Sequence, residues 1–378
     1  MPMKIAVIAA PWFTVPPHGY GGVENVCADL VDGLSARGHA VTLIGAGVSG
    51  TPARFVATYA EPPSSRLGEP LPEVFHAAAA ARILDDLDVD VVHDHTLAGP
   101  LLARGRDIPT IVTMHGPVAG EPGEYYRLLG NTIELVAISQ AQRRAAPDLP
   151  WAGTVHNAVD VTTFPYREVK DDMLLFLGRL HPDKAAHLAI DAARAVRLPI
   201  VVAGKCSEPV EIEYFRSQIE PRLGPDVTIF GSADATAKRD LLTRAAALMF
   251  PIVWDEPFGM VMIEAMACGT PVVALRRGSV SEVVVDGVTG VICDRPEQLP
   301  DAILTARRLD PADCREHVLT RFDVATMAEK YEAVYRDSLA ARRATHDTRT
   351  RDTYRGSREG RQSGMRHERV ISPVGARA

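Results

Sequence analysis

Two glutamates stand eight residues apart in the stretch "EPFGMVMIEAMACGTPVV", which runs from residue 256 to residue 273. Glu256 precedes a Pro-Phe-Gly turn, whereas the neighbours of Glu264 are small or apolar. The composition of 259–267 predicts a helix without a polar face, and such a helix is buried. A buried carboxylate needs hydrogen-bond donors, either from another side chain or from a ligand. The vicinal hydroxyls of a ribose fit this need, because one carboxylate can accept from both.

The turn before this helix predicts that a ligand approaches the backbone. Pro257 favours an extended turn, and Gly259 lets the main chain come close to a bound group. The N-terminus of the helix attracts anions such as phosphate. We therefore expect Glu256 to face the group next to the phosphates.

A second candidate site lies in "GRLHPDKA", residues 178–185, which follows a strand and opens a helix. Arg179 stands at the strand tip, Asp183 is a plausible N-cap, and Lys184 falls in the first helical turn. The helix dipole disfavours a cation there unless an anion binds beside it. Arg179 and Lys184 therefore indicate either a phosphate site or two surface cations, and the spacing alone leaves both open.

Apolar runs that alternate with helical segments must position these residues. The predicted strands are 4–10, 40–46, 89–95, 109–115, 133–139, 173–178, 198–204, 226–231, 247–251, 270–275 and 289–294. Strands that are apolar throughout and separated by helices predict an α/β fold with parallel sheets covered on both faces. Ligands bind outside the carboxyl ends of such strands, so two facing domains would form the site in a central cleft.

We expect two Rossmann-like domains divided near residue 165. The predicted divisions are an N-terminal domain (1–165), a C-terminal domain (166–322), a crossover helix (323–341) and a tail (342–378). Residues 341–378 carry ten Arg and four acidic residues, which gives +6 against a whole-chain charge of −7. This segment lacks apolar periodicity and is predicted to be disordered, either as a plain solvated terminus or as a contact for an anionic partner.

Composition excludes several classes of protein. The 378 residues contain no run of 18 apolar residues, which argues against a membrane span, and no signal peptide is predicted. The five cysteines include no C-x-x-C pair, so neither a disulfide framework nor a zinc site is expected. A reducing cytoplasm is the simplest setting.

Other polar motifs receive structural interpretations. "DLDVD" (86–90) contains Asp-x-Asp but precedes a strand, so a solvated loop is expected rather than a metal site. His93 and His95 should point the same way from a strand end, without a third metal ligand, so either a cleft-lining or a structural role is expected. Nothing suggests a Ser-His-Asp or Cys-His nucleophile, and "PWFTVPPHGYGG" after the first strand does not match a nicotinamide motif.

The chain resembles the retaining glycosyltransferases of family 4, the group 1 glycosyl transferases, which have the GT-B fold. The resemblance covers about residues 4–340. It rests on "YGGVENVCADLVDGLSARGHAVTLIG", "DVVHDH", "TMHG", "HNAVD", "LGRLHPDKAAHLAIDAA", "VVAGK" and "EPFGMVMIEAMACGTPVVALRRGSVSEVVVDGVTGVICD". The Glu-x7-Glu run with its PFG and CGTPVV neighbours is highly specific for the family.

The resemblance implies that 1–165 is the acceptor-side domain and that 166–322 is the nucleotide-sugar-binding domain. It also implies a role for each matching residue on the donor side. Arg179 and Lys184 correspond to the pair that contacts the donor diphosphate, and Glu256 corresponds to the glutamate that holds a donor-sugar hydroxyl. Glu264 corresponds to the ribose-binding glutamate, and Gly204 of "VVAGK" is assigned to substrate binding.

Five further residues follow from the same resemblance. The amides of Phe258 and Gly259 lie beside the donor sugar. Gly21 and Gly22 form the glycine loop near the phosphates and the acceptor. His115 lines the reaction centre near the sugar. One departure is that the family often has Gly after the lysine, where this chain has Ala185.

The implied activity is transfer of a hexose from a nucleoside diphosphate sugar to an acceptor hydroxyl with retention of configuration and without a metal or cofactor. UDP-hexose is the first expected donor and GDP-mannose the second. The acceptor stays open among small molecules, lipid-linked compounds and polysaccharides, as do the oligomeric state and any membrane contact through the tail; no nucleic acid is expected. Two alternatives are a phosphorylase-like GT-B enzyme and a catalytically silent nucleotide-sugar-binding module.

Overall fold

The computed structural model describes residues 1–19 and 21–363, with side chains described for 1–19 and 21–344. Residues Met1–Tyr335 form one compact unit that contains two wholly parallel sheets. The predicted α/β architecture with two parallel sheets is thereby confirmed. The predicted domain boundary at residue 165 falls in the connection between the sheets.

The N-terminal sheet has seven strands in the order β3-β2-β1-β4-β5-β6-β7. Its strands are β1 (Lys4–Ile8), β2 (Ala40–Ala46), β3 (Arg54–Tyr59), β4 (Val91–Asp94), β5 (Thr110–Met114), β6 (Glu134–Ala137) and β7 (Trp151–Thr154). Its helices are α1 (Gly22–Ala36), α2 (Pro70–Asp85), α3 (Glu121–Leu129) and α4 (Gln140–Ala145).

The C-terminal sheet has six strands in the order β10-β9-β8-β11-β12-β13. Its strands are β8 (Leu174–Leu177), β9 (Ile200–Ala203), β10 (Val227–Gly231), β11 (Ala247–Phe250), β12 (Val272–Leu275) and β13 (Gly290–Cys293). Its helices are α5 (Ala186–Ala195), α6 (Pro209–Tyr214), α7 (Ala235–Arg244), α8 (Met260–Ala267), α9 (Val280–Val283), α10 (Leu299–Ala306) and α11 (Pro311–Arg321).

Burial on both sheet faces explains the unbroken apolar runs. Strands β4, β5, β11 and β12 are buried at every position, as expected for parallel strands covered by helices. In both sheets the strand order reverses beside the first strand, between β1 and β4 and between β8 and β11. Crevices at such reversals are the usual ligand sites of open α/β sheets.

A carboxylate joins the two halves across the cleft. Glu282 of α9 accepts hydrogen bonds from the N–H groups of Gln140 (2.6 Å) and Ala141 (2.5 Å) at the start of α4. A negative charge at a helix N-terminus is favourable because of the helix dipole. This contact holds the carboxyl ends of the two sheets towards each other.

The last helix, α12 (Val324–Ser363), returns to the N-terminal sheet. The hydroxyl of Tyr331 lies 2.8 Å from Thr113 Oγ1, and the hydroxyl of Tyr335 lies 2.6 Å from His93 Nδ1. Gly33 of α1 permits the close approach, because a Cβ there would stand 2.9 Å from the Cβ of Ala328. The predicted crossover helix is therefore present.

Helix α12 extends beyond the predicted end at residue 341. Residues 342–363 continue the helix, where irregular chain was predicted. The segment contains seven arginines, which are good helix formers, and it lacks proline. The remaining part of the predicted disordered tail, 364–378, lies outside the described residues. No helix among the described residues is long and apolar enough to cross a membrane.

Candidate active site

The predicted site residues gather where α8 begins, at the carboxyl ends of strands β8, β9 and β11. Three adjoining cavities meet there beside Met260. We name them by a lining residue: the Glu264 cavity (about 240 Å³), the Lys184 cavity (about 220 Å³) and the Glu24 cavity (about 450 Å³). Together they make the cleft a continuous site.

Arg179 follows β8 and lines both the Glu264 and the Lys184 cavities. Its guanidinium is held by two carboxylates, with Nη2 2.7 Å from Glu208 Oε2 and Nε 2.6 Å from Glu211 Oε1. Burial alone would raise the pKa of Glu211, but the N–H groups of Glu208 and Ser207 and the charge of Arg179 lower it to about 2. Glu211 therefore stays ionised and fixes the direction of the Arg179 cation.

Lys184 lies against Glu256 and Trp254. Its Nζ pairs with Glu256 Oε2 and sits 4.9 Å from the centroid of the Trp254 ring. The indole N–H of Trp254 donates to the same carboxylate oxygen at 3.0 Å. Glu256 Oε1 has no protein donor among the described residues, which leaves it available to a ligand in the cleft.

The predicted helix start around Lys184 is wrong in one detail. Pro182, Asp183 and Lys184 form a 3₁₀ turn capped by His181, whose Nδ1 accepts from the N–H of Asp183 at 3.2 Å. The residue before a proline is biased to extended backbone, so the cap falls at His181 and not at Asp183. Ala185 then adopts a left-handed φ of 51°, and α5 begins after it. This is the position where the family often has glycine.

Glu264 lies on α8 and is 9% exposed. Lys238 of α7 donates to its Oε1 at 2.7 Å, and Oε2 has no protein donor in the described part of the chain. Both residues line the Glu264 cavity together with Asp234 and Lys205. One oxygen of this carboxylate is thus hydrogen-bonded within the protein, and the other is available to a ligand in the cavity.

The turn between the two glutamates exposes main-chain donors. Gly259 has a φ of 79°, and a Cβ there would stand 2.8 Å from Met262 Cε and 3.0 Å from Phe250 Cζ. Phe258 is buried, and its carbonyl accepts from Ser279 Oγ at 2.8 Å. Within the described residues the N–H groups of Phe258 and Gly259 have no main-chain acceptor. They are positioned to bind oxygen atoms in the cleft.

Gly204 has a steric role as well as a place in the Glu264 cavity. A Cβ at this position would overlap the carbonyl oxygen of Gly178.

Replacing Gly204 with alanine should therefore shift the ends of β8 and β9 and lower the free energy of unfolding by about 1–3 kcal/mol. Thermal unfolding of G204A measures this. The control is G22A, since nothing lies within 4 Å of a Cβ there; equal melting temperatures for G204A and wild type would contradict the steric role.

Gly21 and Gly22 open α1 between the cavities. Gly21 has a φ of 148°, and a Cβ would stand 2.8 Å from Pro17 Cβ. Gly21 and Gly22 both line the Glu264 and Glu24 cavities. That this loop lies near the phosphates and the acceptor stays a prediction.

The histidines form a stacked group at the ends of β4 and β5. His115 lines the Glu24 cavity, and its Nε2 lies 2.9 Å from His95 Nδ1. Burial lowers the pKa of His115 to about 4, so the ring is neutral at pH 7. His93 instead contacts Thr113 and Tyr335. His93 thus acts in packing, as expected, and no group of His, Cys, Asp or Glu among the described residues could hold a metal ion.

The Asp-x-Asp sequence lies at the opposite end of the N-terminal sheet. Asp88 pairs with Lys4 Nζ, and Asp90 accepts from the Lys4 N–H at 2.8 Å, at the start of β1. The prediction of a loop outside the cleft is confirmed.

Sequence reasoning missed four residues of this site. They are Glu24, Asn157, Glu211 and Lys238. Glu211 and Lys238 lie far in sequence from Arg179 and Glu264, with which they pair, so no local spacing indicates them. The only sequence signal was the expectation that Glu264 needs a donor from elsewhere.

Comparison with known proteins gives matches to two glycosyltransferase family profiles and to a curated relative. The family profile "Glycosyltransferase Family 4" matches residues 20–188, and "Glycosyl transferases group 1" matches residues 164–313. The chain is 26% identical to glycogen synthase of Mycobacterium tuberculosis over 92% of this chain and 97% of that protein.

Solved structures share the architecture. AviGT4, a glycosyltransferase involved in avilamycin A biosynthesis, is 28% identical with a TM-score of 0.70, over 90% of this chain and 98% of that one. Anabaena HepE in complex with UDP and glucose is 18% identical with a TM-score of 0.69, over 89% of this chain and 100% of that one. The GT-B fold is thereby confirmed.

Proposed function

Because the chain belongs to the group 1 glycosyltransferases with the GT-B fold, we propose that it transfers a hexose from a nucleoside diphosphate sugar to an acceptor hydroxyl with retention of configuration. UDP-hexose is the first donor to test and GDP-mannose the second. HepE, a structure of the same fold, holds UDP and glucose. The five cysteines are free, so we keep a reducing cytoplasm as the proposed location.

One observation carries the proposal: two glutamates at the start of α8 each keep one oxygen without a protein donor. Glu264 Oε2 faces a cavity that also contains Arg179 and Lys238, and Glu256 Oε1 faces the next cavity. A nucleoside diphosphate sugar has the matching order of groups, with ribose hydroxyls, diphosphate and sugar hydroxyls in sequence. Glu264 would bind the ribose and Glu256 the hexose, with the diphosphate between them.

The cations between the glutamates suit the leaving group. As the bond from the hexose to the diphosphate breaks, negative charge grows on the phosphate oxygens. Arg179, Lys184 and the N–H groups at the start of α8 are held in place before reaction, so they stabilise that charge without reorganising. Glu256 and neutral His115 would orient the hexose. The acceptor attacks from the face that the diphosphate leaves, and the diphosphate takes the acceptor proton.

The donor is identified by thermal shift with UDP-glucose, UDP-GlcNAc, UDP-galactose and GDP-mannose. A bound ligand stabilises the protein by RT ln(1 + [L]/Kd), so the true donor should raise the melting temperature most. Product analysis with the same donors separates the alternatives. Sugar 1-phosphate formed with inorganic phosphate would indicate a phosphorylase-like enzyme, and binding without any product would indicate a silent module.

Turnover should survive removal of divalent metals, because the side-chain cations and main-chain donors supply the charge that a metal would otherwise provide. The measurement is product formation after EDTA treatment, compared with the same enzyme with added magnesium or manganese. Loss of activity with EDTA and recovery with either metal would contradict charge stabilisation by Arg179 and Lys184 alone.

A further inference from the structure

The Glu24 cavity differs in charge from the other two cavities. Arg179, Lys205 and Lys238 line the Glu264 cavity, and Arg179 and Lys184 line the Lys184 cavity. The described lining of the Glu24 cavity contains no lysine or arginine, and its charged residues are Glu24 and Glu256. At the start of α8 the cleft therefore changes from a side lined by several cations to a side whose described lining contains none.

Glu24 is a buried carboxylate that lines this cavity. It lies in the first turn of α1 and is 3% exposed. Among the described residues its own main-chain N–H is the one donor recorded for its carboxyl, and burial raises its pKa to about 7. A buried carboxyl with so few donors destabilises a fold, so its presence points to a ligand.

Asn157 provides a second hydrogen-bond acceptor. The residue is 4% exposed, lines the same cavity, and its Oδ1 has no hydrogen-bond partner among the described residues. The Glu24 carboxyl and the Asn157 amide oxygen together select a ligand that donates hydrogen bonds, as hydroxyl groups do.

Two aromatic rings complete the lining. Trp12 and Phe13, which follow β1, are both half-buried and line the cavity. The apolar C–H face of a sugar ring packs against such rings while its hydroxyls point to the side. The volume of about 450 Å³ accommodates one to two sugar rings.

We propose that the Glu24 cavity binds the acceptor as an uncharged carbohydrate or polyol, with Glu24 and Asn157 accepting hydrogen bonds from its hydroxyls. A phosphorylated acceptor is disfavoured, because its phosphate would enter a space that has two carboxylates and no described cation. This inference rests on the proposed function, since it assigns the acceptor of the same reaction.

The chemistry needs no further reactant. The acceptor oxygen forms a bond with C1 of the hexose, and the bond from C1 to the β-phosphate oxygen breaks. The proton leaves the acceptor hydroxyl and is taken by the released diphosphate. Glu24 acts here as a binding residue for a neighbouring hydroxyl, so its loss should affect acceptor binding more than the transfer step.

The test compares acceptors in matched pairs with the donor identified above: glucose with glucose 6-phosphate, maltose with maltose 1-phosphate, and myo-inositol with inositol 1-phosphate. We expect the neutral member of each productive pair to have at least a tenfold higher kcat/KM. Preference for the phosphorylated member, or no product from any neutral member, would overturn the inference. Failure of every nucleotide sugar to bind would instead refute the proposed function.

Variants of α1 test the role of Glu24. Glu24→Gln should raise the acceptor KM at least tenfold and leave the Kd for UDP unchanged. The control is Asp32→Asn, which removes a charge from the exposed side of the same helix and should change neither. An unchanged acceptor KM in E24Q would overturn the role of Glu24, and an equal change in D32N would show that the effect comes from net charge.

Stability gives a second, independent readout. The pKa of Glu24 in the folded protein is above its ordinary value, so its contribution to stability is complete at low pH and is lost as pH rises through about 7. The titratable groups nearby are His115 and Glu256, which line the cavity, and Cys27, whose thiol pKa the charge of Glu24 helps to raise. E24Q should therefore melt at a higher temperature than wild type at pH 8, with a smaller difference at pH 5. A lower melting temperature at both pH values would show that Glu24 has a structural partner.

Discussion

Replacing Lys184 with alanine is expected to lower kcat by about 10²–10³-fold, which is the effect of removing one preorganised donor to developing charge. Lys184 and Arg179 line the cavity where the leaving diphosphate is proposed to lie. The measurement is steady-state kinetics with saturating donor. The control is Lys4→Ala, because Lys4 forms a surface pair with Asp88 at the far end of the sheet.

Arg179→Ala should lower kcat by a similar factor but should also destabilise the fold. It leaves Glu211 buried and ionised without its cation, and breaking a buried pair is costly. The double variant R179A/E211Q removes the unpaired charge, so we expect it to recover stability without recovering turnover. A change confined to KM in K184A and R179A would mean that both cations bind ground state and transition state equally.

The second large expected effect is a difference between substitutions of Glu264 and of Glu256. Glu264→Gln should weaken binding of free UDP by about 1–3 kcal/mol, since a charge-assisted pair of hydrogen bonds becomes a neutral one. Glu256→Gln should leave UDP affinity nearly intact while it lowers turnover and weakens discrimination among donor sugars. Calorimetry with UDP and kinetics with the full donor make the comparison.

The control for both variants is Glu297→Gln, which neutralises an exposed carboxylate outside the cleft. Equal loss of UDP affinity in E264Q and E256Q, or no loss in either, would refute the division of roles. If E264Q only unfolds the protein, Glu264 serves as the structural partner of Lys238.

The sequence was sufficient to predict the elements that carry the site. Apolar runs predicted the parallel sheets. The apolar run around Glu264 predicted α8 and a buried carboxylate that needs hydrogen-bond donors. These features can be predicted because a buried strand or helix requires a local pattern of apolar residues in the sequence. The expectation that Lys184 and Glu256 both face the cleft followed from the rule that ligands bind at the carboxyl ends of parallel strands.

Contacts between residues far apart in sequence could not be predicted, because they depend on tertiary packing. Lys238 reaches Glu264 because α7 packs beside α8, and 26 residues separate the two side chains. Glu24 and Asn157 line one cavity although they lie far apart in sequence. The misplaced cap at Asp183 has a local cause, since Pro182 requires extended backbone at His181. The extension of α12 to Ser363 shows that high charge does not by itself exclude a helix.

The most direct test of the central claim is formation of UDP from UDP-hexose in the presence of EDTA and a neutral sugar acceptor, for wild type and K184A. The account predicts UDP release coupled one-to-one to a glycosylated product, with a rate about 10²–10³-fold lower in K184A. No UDP release with any hexose donor, or equal rates for wild type and K184A, would contradict it.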